Sequence, residues 1–319
     1  MTDSETHAGS QTASSVETAA ETVHRVIDNV EQVIVGHHDE IEHVLVAMLA
    51  GGHVLLEDVP GVGKTMLSRA VATSFDGTFK RIQFTPDLLP ADVTGVDVYN
   101  QQTSEFVFHE GPIFANVVLG DEINRAPPKT QSALLEAMEE RQVTVDGTTR
   151  PVPTPFTVIA TQNTVEQNRT YELPLAERDR FTSKLQLGYP DADEEVAMLD
   201  RIVGHHPIED ISPVVTLPEF QTARDTTAAV TVERPVQEYV TELATYTREH
   251  AQLGASPRAS LSLLRAAQAR ALLAGRGYVT PDDVQVEAPV VWPHRIRTET
   301  GEQTPTGLVS DALEAVPVV

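Results

Sequence analysis

The sequence predicts an α/β sandwich with a parallel sheet, followed by an all-helical domain, and three observations lead there. Short apolar runs alternate with helical or loop segments up to about residue 190. Two of the runs, Val117-Val118-Leu119 and Phe156-Thr157-Val158-Ile159-Ala160, are nearly continuous, as expected of strands covered on both faces. After Gly188-Tyr189-Pro190 the apolar residues recur only at helical spacing.

Residues 1–20 read as a disordered acidic tail, since the Ser/Thr/Ala/Glu-rich stretch up to about residue 15 has little apolar surface to bury. The α/β domain takes residues 21–190 and the helical domain 191–319. One helix runs to Val30, ahead of Val33-Ile34-Val35-Gly36; a second, over 39–50, carries Ile41, Val44, Leu45 and Met48 on one face. Strands fall at 53–57, 81–84, 117–121, 156–161 and 184–187. Hairpin strands follow at 105–109 and 142–145, the second beside the turn signal Asp146-Gly147. Helices then cover 194–203, 217–229, 236–251, 258–274 and 281–291.

Composition narrows the function classes. There are 47 acidic against 23 basic residues, a formal net charge of −24. DNA carries about one negative charge per 1.7 Å of axis, so bulk nucleic-acid binding is disfavoured. Strong acidity with scarce lysine also resembles proteins of salt-loving organisms. The absence of cysteine excludes disulfides and thiolate metal sites. No basic-then-apolar leader and no apolar run long enough for a bilayer is present, which predicts a soluble, cytoplasmic protein. The pairs His37-His38 and His205-His206 lack an evident third ligand for a metal.

The chemistry concentrates in a few segments. Leu55-Leu56-Glu57-Asp58-Val59-Pro60-Gly61-Val62-Gly63-Lys64-Thr65 sets a glycine-rich turn between a strand and a helix. Such a turn aims backbone N–H groups at phosphates, and the helix N-terminus adds positive potential. Pro60, Gly61, Val62, Gly63, Lys64, Thr65 and Met66 are the candidate nucleotide-binding residues, with Lys64 reaching the β- and γ-phosphates. Asp58 stands where this pattern usually opens with glycine. The strand over 117–121 ends in Asp121 and Glu122. Asp121 suits a Mg²⁺ ion, with the Thr65 hydroxyl as a further ligand, and Glu122 suits the general base that activates water. Asn163 ends the next buried strand, where an amide would hold that water or simply begin a turn. Arg180, in Asp179-Arg180-Phe181, is either a cation for the γ-phosphate or a surface arginine paired with Asp179 or Glu177. Arg258, just inside a helix start after Ser256-Pro257, opposes the helix dipole. It either reaches a phosphate or is an exposed helix arginine.

The segments 81–95, from Arg81-Ile82-Gln83-Phe84-Thr85-Pro86 to Gly95, and 121–131, from Asp121-Glu122-Ile123-Asn124-Arg125 to Gln131, resemble the MoxR family of AAA+ ATPases. Ala160-Thr161-Gln162-Asn163 and 254–258 match as well, and the resemblance spans about residues 33–296. It implies a P-loop αβα core with a helical lid, in a hexameric ring with ATP between subunits. It makes Lys64, Thr65, Asp121 and Glu122 the Walker residues, Asn163 the first sensor, Arg180 the finger acting on a neighbour, and Arg258 the second sensor. Val35 and Gly36 would lie against adenine, Arg125 is a rival interface arginine, and residues 94–112 would form decorations facing pore or client. Leu175 and Arg178 depart from the family pattern, which has an acidic and an apolar residue there. Relatives act with von Willebrand factor A-domain partners on protein complexes, often inserting metal cofactors. A chelatase-like or a nucleic-acid-remodelling ATPase is the alternative.

Overall fold

The apolar runs pair side by side, because each strand must bury both faces and satisfy its backbone groups against a neighbour. The computed structural model describes residues 3–163, 171–202, 207–299 and 303–318. Strands β1 (Val54–Asp58) and β2 (Phe79–Gln83) come first, then a hairpin of β3 (Gly95–Asn100) and β4 (Glu105–Glu110). β5 (Val117–Asp121) precedes a second hairpin, β6 (Gln142–Val145) with β7 (Thr148–Pro151), and β8 (Thr157–Asn163) and β9 (Ser183–Leu185) follow. The main sheet has the order β2-β5-β8-β1-β9, and every adjacent pair in it is parallel. The second hairpin turns at Asp146 and Gly147, both at positive φ (49° and 80°) with Val145 opposite Thr148. This is the two-residue turn that such a pair favours.

The two sheet faces feed separate cores. Val54, Leu56, Val117, Leu119 and Ile159 point to one, Leu55, Val118, Val158 and Ala160 to the other, the alternation that a pleated strand enforces.

Helices α1 (Asp3–Glu31), α2 (His38–Leu49), α3 (Lys64–Ser74), α4 (Pro90–Thr94) and α5 (Pro128–Glu140) belong to the N-terminal half. The short α6 (Leu175–Arg178) leads to the helical half: α7 (Ala192–Ile202), α8 (Leu217–Ala228), α9 (Arg234–Glu249), α10 (Pro257–Leu273), α11 (Pro281–Val291) and α12 (Pro305–Ala315).

Two elements differ from the sequence reading. α1 begins inside the stretch read as a disordered tail, because Val16, Ala19, Ala20, Val23, Val26, Ile27 and Val30 form one buried stripe. An Ala/Glu-rich composition suits a helix once such a stripe has something to pack on. α12 is additional: Thr304 caps it, Pro305 opens it, and Leu308, Val309 and Ala312 are its buried face. α1 also packs along α8 and α10, and α2 along α10, so the N-terminal helices share the large core with the helical half.

Candidate active site

In a parallel sheet all carboxyl ends lie along one edge, so whatever follows the strands gathers there. A cavity of about 370 Å³ opens at that edge, lined by Pro60, Gly61, Gly63, Lys64, Thr65, Met66, Arg81, Gln83, Asp121, Glu122 and Thr161. Gly61 and Gly63 have φ near 90°, and nothing lies within 4 Å of where a Cβ would stand. Their need for glycine is therefore conformational, and the space above them is open. Gly63 is the N-cap of α3 and no side chain caps it, which leaves the first N–H groups of that helix to a ligand. Lys64 Nζ meanwhile donates to the carbonyl of Val59 at 3.0 Å. Val62 is outside the cavity wall and packs against the large core.

Asp121 and Glu122 sit at the end of β5, next to β8 and two places from β1. Thr161 Oγ1 donates to Asp121 Oδ1 at 2.7 Å and accepts from the Glu122 N–H at 2.9 Å. Glu122 takes a left-handed φ of 56°, which turns its carboxylate away from the strand line. That carboxylate accepts from Gln83 Nε2 at 2.7 Å and from Arg125 at 2.8 Å. Arg81 donates to Asp121 Oδ2 and to Gln83 Oε1. The donor set suits magnesium. Asp121 is a hard carboxylate already balanced by a cation, the Thr65 hydroxyl lines the same cavity, and Mg²⁺ needs few protein ligands when water and phosphate supply the rest.

Asp58 explains its own departure from the glycine pattern. It is buried, its Oδ1 accepts from the Val59 N–H at 2.9 Å, and its Oδ2 accepts from Leu187 and Gly188 at 2.7 and 3.1 Å. The start of the phosphate loop is thereby tied to the segment that leaves β9 for the helical half. Asn163 ends β8 in register with Asp58; its side chain lies outside the described residues.

Other expected residues lie elsewhere. Val35 and Gly36 are not in the cavity wall. Gly36 has φ 70°, and a Cβ there would stand 2.4 Å from a carboxylate oxygen of Glu194, so α7 covers this turn. Arg180 and Arg258 line a different cleft, of about 260 Å³, with Gly51, Gly52, His53, Glu139, Arg141 and Arg265. Glu139 pairs with Arg180 at 3.2 Å and with Arg258 at 3.0 Å. Arg258, expected to reach a phosphate from the lid, therefore lies apart from its own chain's phosphate loop. The cleft surrounds the amino ends of β1 and β9, and a five-residue strand is about 15 Å long, so the two sites lie at opposite ends of the sheet. His37 and His38 pair with carboxylates, Glu40 for the first and Glu31 and Glu42 for the second. His205-His206 lies outside the described residues. No group of three His, Asp or Glu side chains able to hold a metal occurs among the described residues.

The sequence reading did not single out the roles of Arg81, Gln83, Thr161 and Glu139. The signal for the first two was present, because β2 is hydrophilic for a strand of a parallel sheet, with Lys80, Arg81 and Gln83 exposed.

A phosphate loop on β1, a carboxylate pair on β5 and a helical lid define an AAA ATPase. Residues 53–183 match the ATPase family associated with various cellular activities (AAA), and residues 243–314 match the AAA lid domain. The chain is 44% identical to Chaperone MoxR1 of Mycobacterium tuberculosis over 86% of this chain and 75% of that protein. It is 53% identical to the uncharacterised YeaC of Bacillus subtilis, over 85% and 86%, and 30% identical to Protein MoxR of Methylorubrum extorquens, over 90% and 91%. The crystal structure of a candidate ATPase of Cytophaga hutchinsonii superposes with a TM-score of 0.90 at 36% identity, covering 99% of both chains. The chain belongs to the MoxR family of AAA+ ATPases.

Proposed function

We propose that the chain binds ATP with Mg²⁺ and hydrolyses it in a ring of like subunits, remodelling or maturing protein complexes. The observation that carries this reading is one cavity that gathers Lys64, Thr65, Asp121 and Glu122 at the carboxyl edge of the sheet. Lys64 and the N–H groups opening α3 would take the phosphates. Thr65 and Asp121 would hold the magnesium ion, which neutralises phosphate charge when bound. Glu122, once released from Gln83 and Arg125, would orient water and accept its proton. Asn163 would hold that water from the adjacent strand.

The place of Arg180 and Arg258 supports assembly. Cations that stabilise a departing phosphate must touch it, and these two face away from their own loop. A neighbour whose cavity meets this cleft would use them, a head-to-tail contact of the kind that closes rings; six subunits is the number the resemblance implies. Arg125, paired with Glu122 of the cavity wall, suits a role in its own chain better than that of the trans-acting finger. The β3–β4 hairpin exposes Val96, Val98, Tyr99, Phe106 and Val107, with Tyr99 and Phe106 in ring contact, a surface suited to an apolar protein client. A von Willebrand factor A-domain partner and a chaperone role follow from the family, MoxR1 being named a chaperone. Among the described residues no helix is long and apolar enough to cross a membrane; the cytoplasm, where ATP is abundant, is the proposed place of action. The acidic surface is proposed as an adaptation to salt.

Two variants test the central reading. Lys64→Ala should lose nucleotide binding by fluorescence titration, and Glu122→Gln should bind ATP normally while releasing almost no phosphate. Normal affinity in the first, or normal turnover in the second, would remove the corresponding assignment.

A further inference from the structure

The cleft at the amino edge of the sheet holds more positive charge than its own carboxylates balance. Arg141, Arg180, Arg258 and Arg265 all line it, in a chain with twice as many acidic as basic residues. Glu139 is shared between Arg180 and Arg258, and Asp179 lies near Arg258 and Arg295. Arg141 spends its donors on the carbonyls of Phe156 and Gly51. Its pKa falls to about 10, first through burial and then through repulsion by Arg224 and Arg265. Arg224 lines the adjoining cavity, which shares Arg265 with this cleft, and its buried Nε has no hydrogen-bond partner. Arg265 itself, exposed on α10, makes no hydrogen bond or ion pair among the described residues. Three guanidinium groups thus crowd together without a carboxylate to hold Arg265.

Position adds a second argument. Arg258, Leu261 and Arg265 lie three and seven residues apart, which puts them on one face of α10. Leu261 is 49% exposed between the two arginines. An exposed apolar residue beside a cation that no carboxylate holds suits a surface that another molecule covers, and the polyanion such a surface would meet is the nucleotide of a phosphate loop.

We infer that Arg265 is a nucleotide-binding residue of the ATP site of an adjacent copy, placing its guanidinium, with Arg180 and Arg258, against the polyphosphate held in that copy's cavity. This rests on the composite-site reading above. It adds a third cation, about 10 Å further along the same helix than Arg258 at 1.5 Å per residue. Arg258 and Arg180 serve the end where charge develops; Arg265 fixes how far α10 slides over the neighbour's nucleotide.

Coexpression of two differently tagged variants tests it, with mixed assemblies isolated through both tags. Arg265→Ala alone should weaken nucleotide affinity, and with it kcat/KM, by about tenfold to a hundredfold, the loss of one charge-assisted hydrogen bond to a bound phosphate. Arg265→Lys should recover part of that loss. Coassembled with Lys64→Ala, which keeps an intact arginine cleft, the Arg265→Ala chain regains turnover at about one junction in four of a head-to-tail ring. Arg180→Ala coassembled with Lys64→Ala is the control for the composite site itself. Wild-type kcat/KM in Arg265→Ala overturns the inference. So does a loss that coassembly fails to restore while the Arg180 control recovers, since Arg265 would then act within its own chain. Should the Arg180 control also fail to recover, the composite site falls and this inference with it.

Discussion

Asp58→Asn is the most informative single change, because it alters charge and donor pattern without altering shape. The carboxylate accepts three backbone N–H groups, from Val59, Leu187 and Gly188. An asparagine keeps one oxygen, so its NH₂ must face at least one N–H donor. A hydrogen bond to a charged group contributes about 1.5–3 kcal/mol, and an orphaned buried donor costs about 1–3 kcal/mol. The bonds that remain lose the strengthening that charge confers. The expected loss is therefore about 2–4 kcal/mol, or about 3–8 °C in a chain of this size. Because Leu187 and Gly188 lead into the lid, the same change should weaken nucleotide affinity, although Asp58 does not line the cavity. Calorimetry and nucleotide titration of Asp58→Asn and Asp58→Gly measure both effects. An asparagine variant that melts within one degree of wild type (about 0.5 kcal/mol) and binds nucleotide equally would show that the carboxylate ties nothing together.

Acid should destabilise the fold well above the range in which carboxylates titrate. Burial holds His53 and His294 neutral, both far below the ordinary histidine pKa; His53 uses both ring nitrogens, on Val158 N–H and Met138 O. As pH falls below about 6.5 only the unfolded chain takes up these protons, so stability drops by up to about 2.7 kcal/mol per unit for the pair. His38, raised by its bond to Glu31, works the other way but is exposed. Urea unfolding at pH 7.5 and 5.5 checks this, and equal midpoints would contradict it. Salt should act in the opposite sense: screening of the 24 surplus negative charges should raise the melting temperature between 0.1 M and 2 M KCl (Debye length about 10 Å falling to below 3 Å), and a falling temperature would refute the salt-adaptation reading. Finally, Glu287→Gln should cost about 3–5 kcal/mol, since fully buried Glu287 holds Arg270 at 2.7 Å. Glu139→Gln, at a half-exposed pair, should cost less than about 1 kcal/mol; the reverse order in denaturant melts would sink this assignment.

The strands, the glycine turn and the carboxylate pair were legible because each is local: an apolar run, a φ-permissive pair of glycines, acids at a strand end. What lay beyond sequence was register across the sheet. Nothing in the spacing of Arg180 and Arg258 states that they fall at the amino edge while Lys64 falls at the carboxyl edge. The strand order decides it, with β9 beside β1 and the chain entering both from the same side. The tail misread was of another kind. Val16, Ala19 and Ala20 are a weak stripe alone, and only the α8 and α10 surfaces that receive it make the helix worth forming.

The polarity of the sheet would also constrain how the proposed hydrolysis does mechanical work. Neutral His53 fixes the head of β1 to the end of α5 through the Met138 carbonyl, so Glu139 and Arg141 move with the sheet. Arg258 and Arg265 ride instead on α10, which belongs to the helical half. A network of Arg270, Glu42 and His43 around fully buried Glu287 joins α10 and α11 to α2, whereas α10 meets the cleft's far wall through the more exposed pairs of Arg258 with Glu139 and Asp179. A rearrangement triggered by nucleotide therefore gives way at the cleft before it gives way at α2, because exposed pairs are cheap to break and buried ones are not. The arginines that would read a neighbour's nucleotide thus sit on the side of the lid with the least resistance to moving.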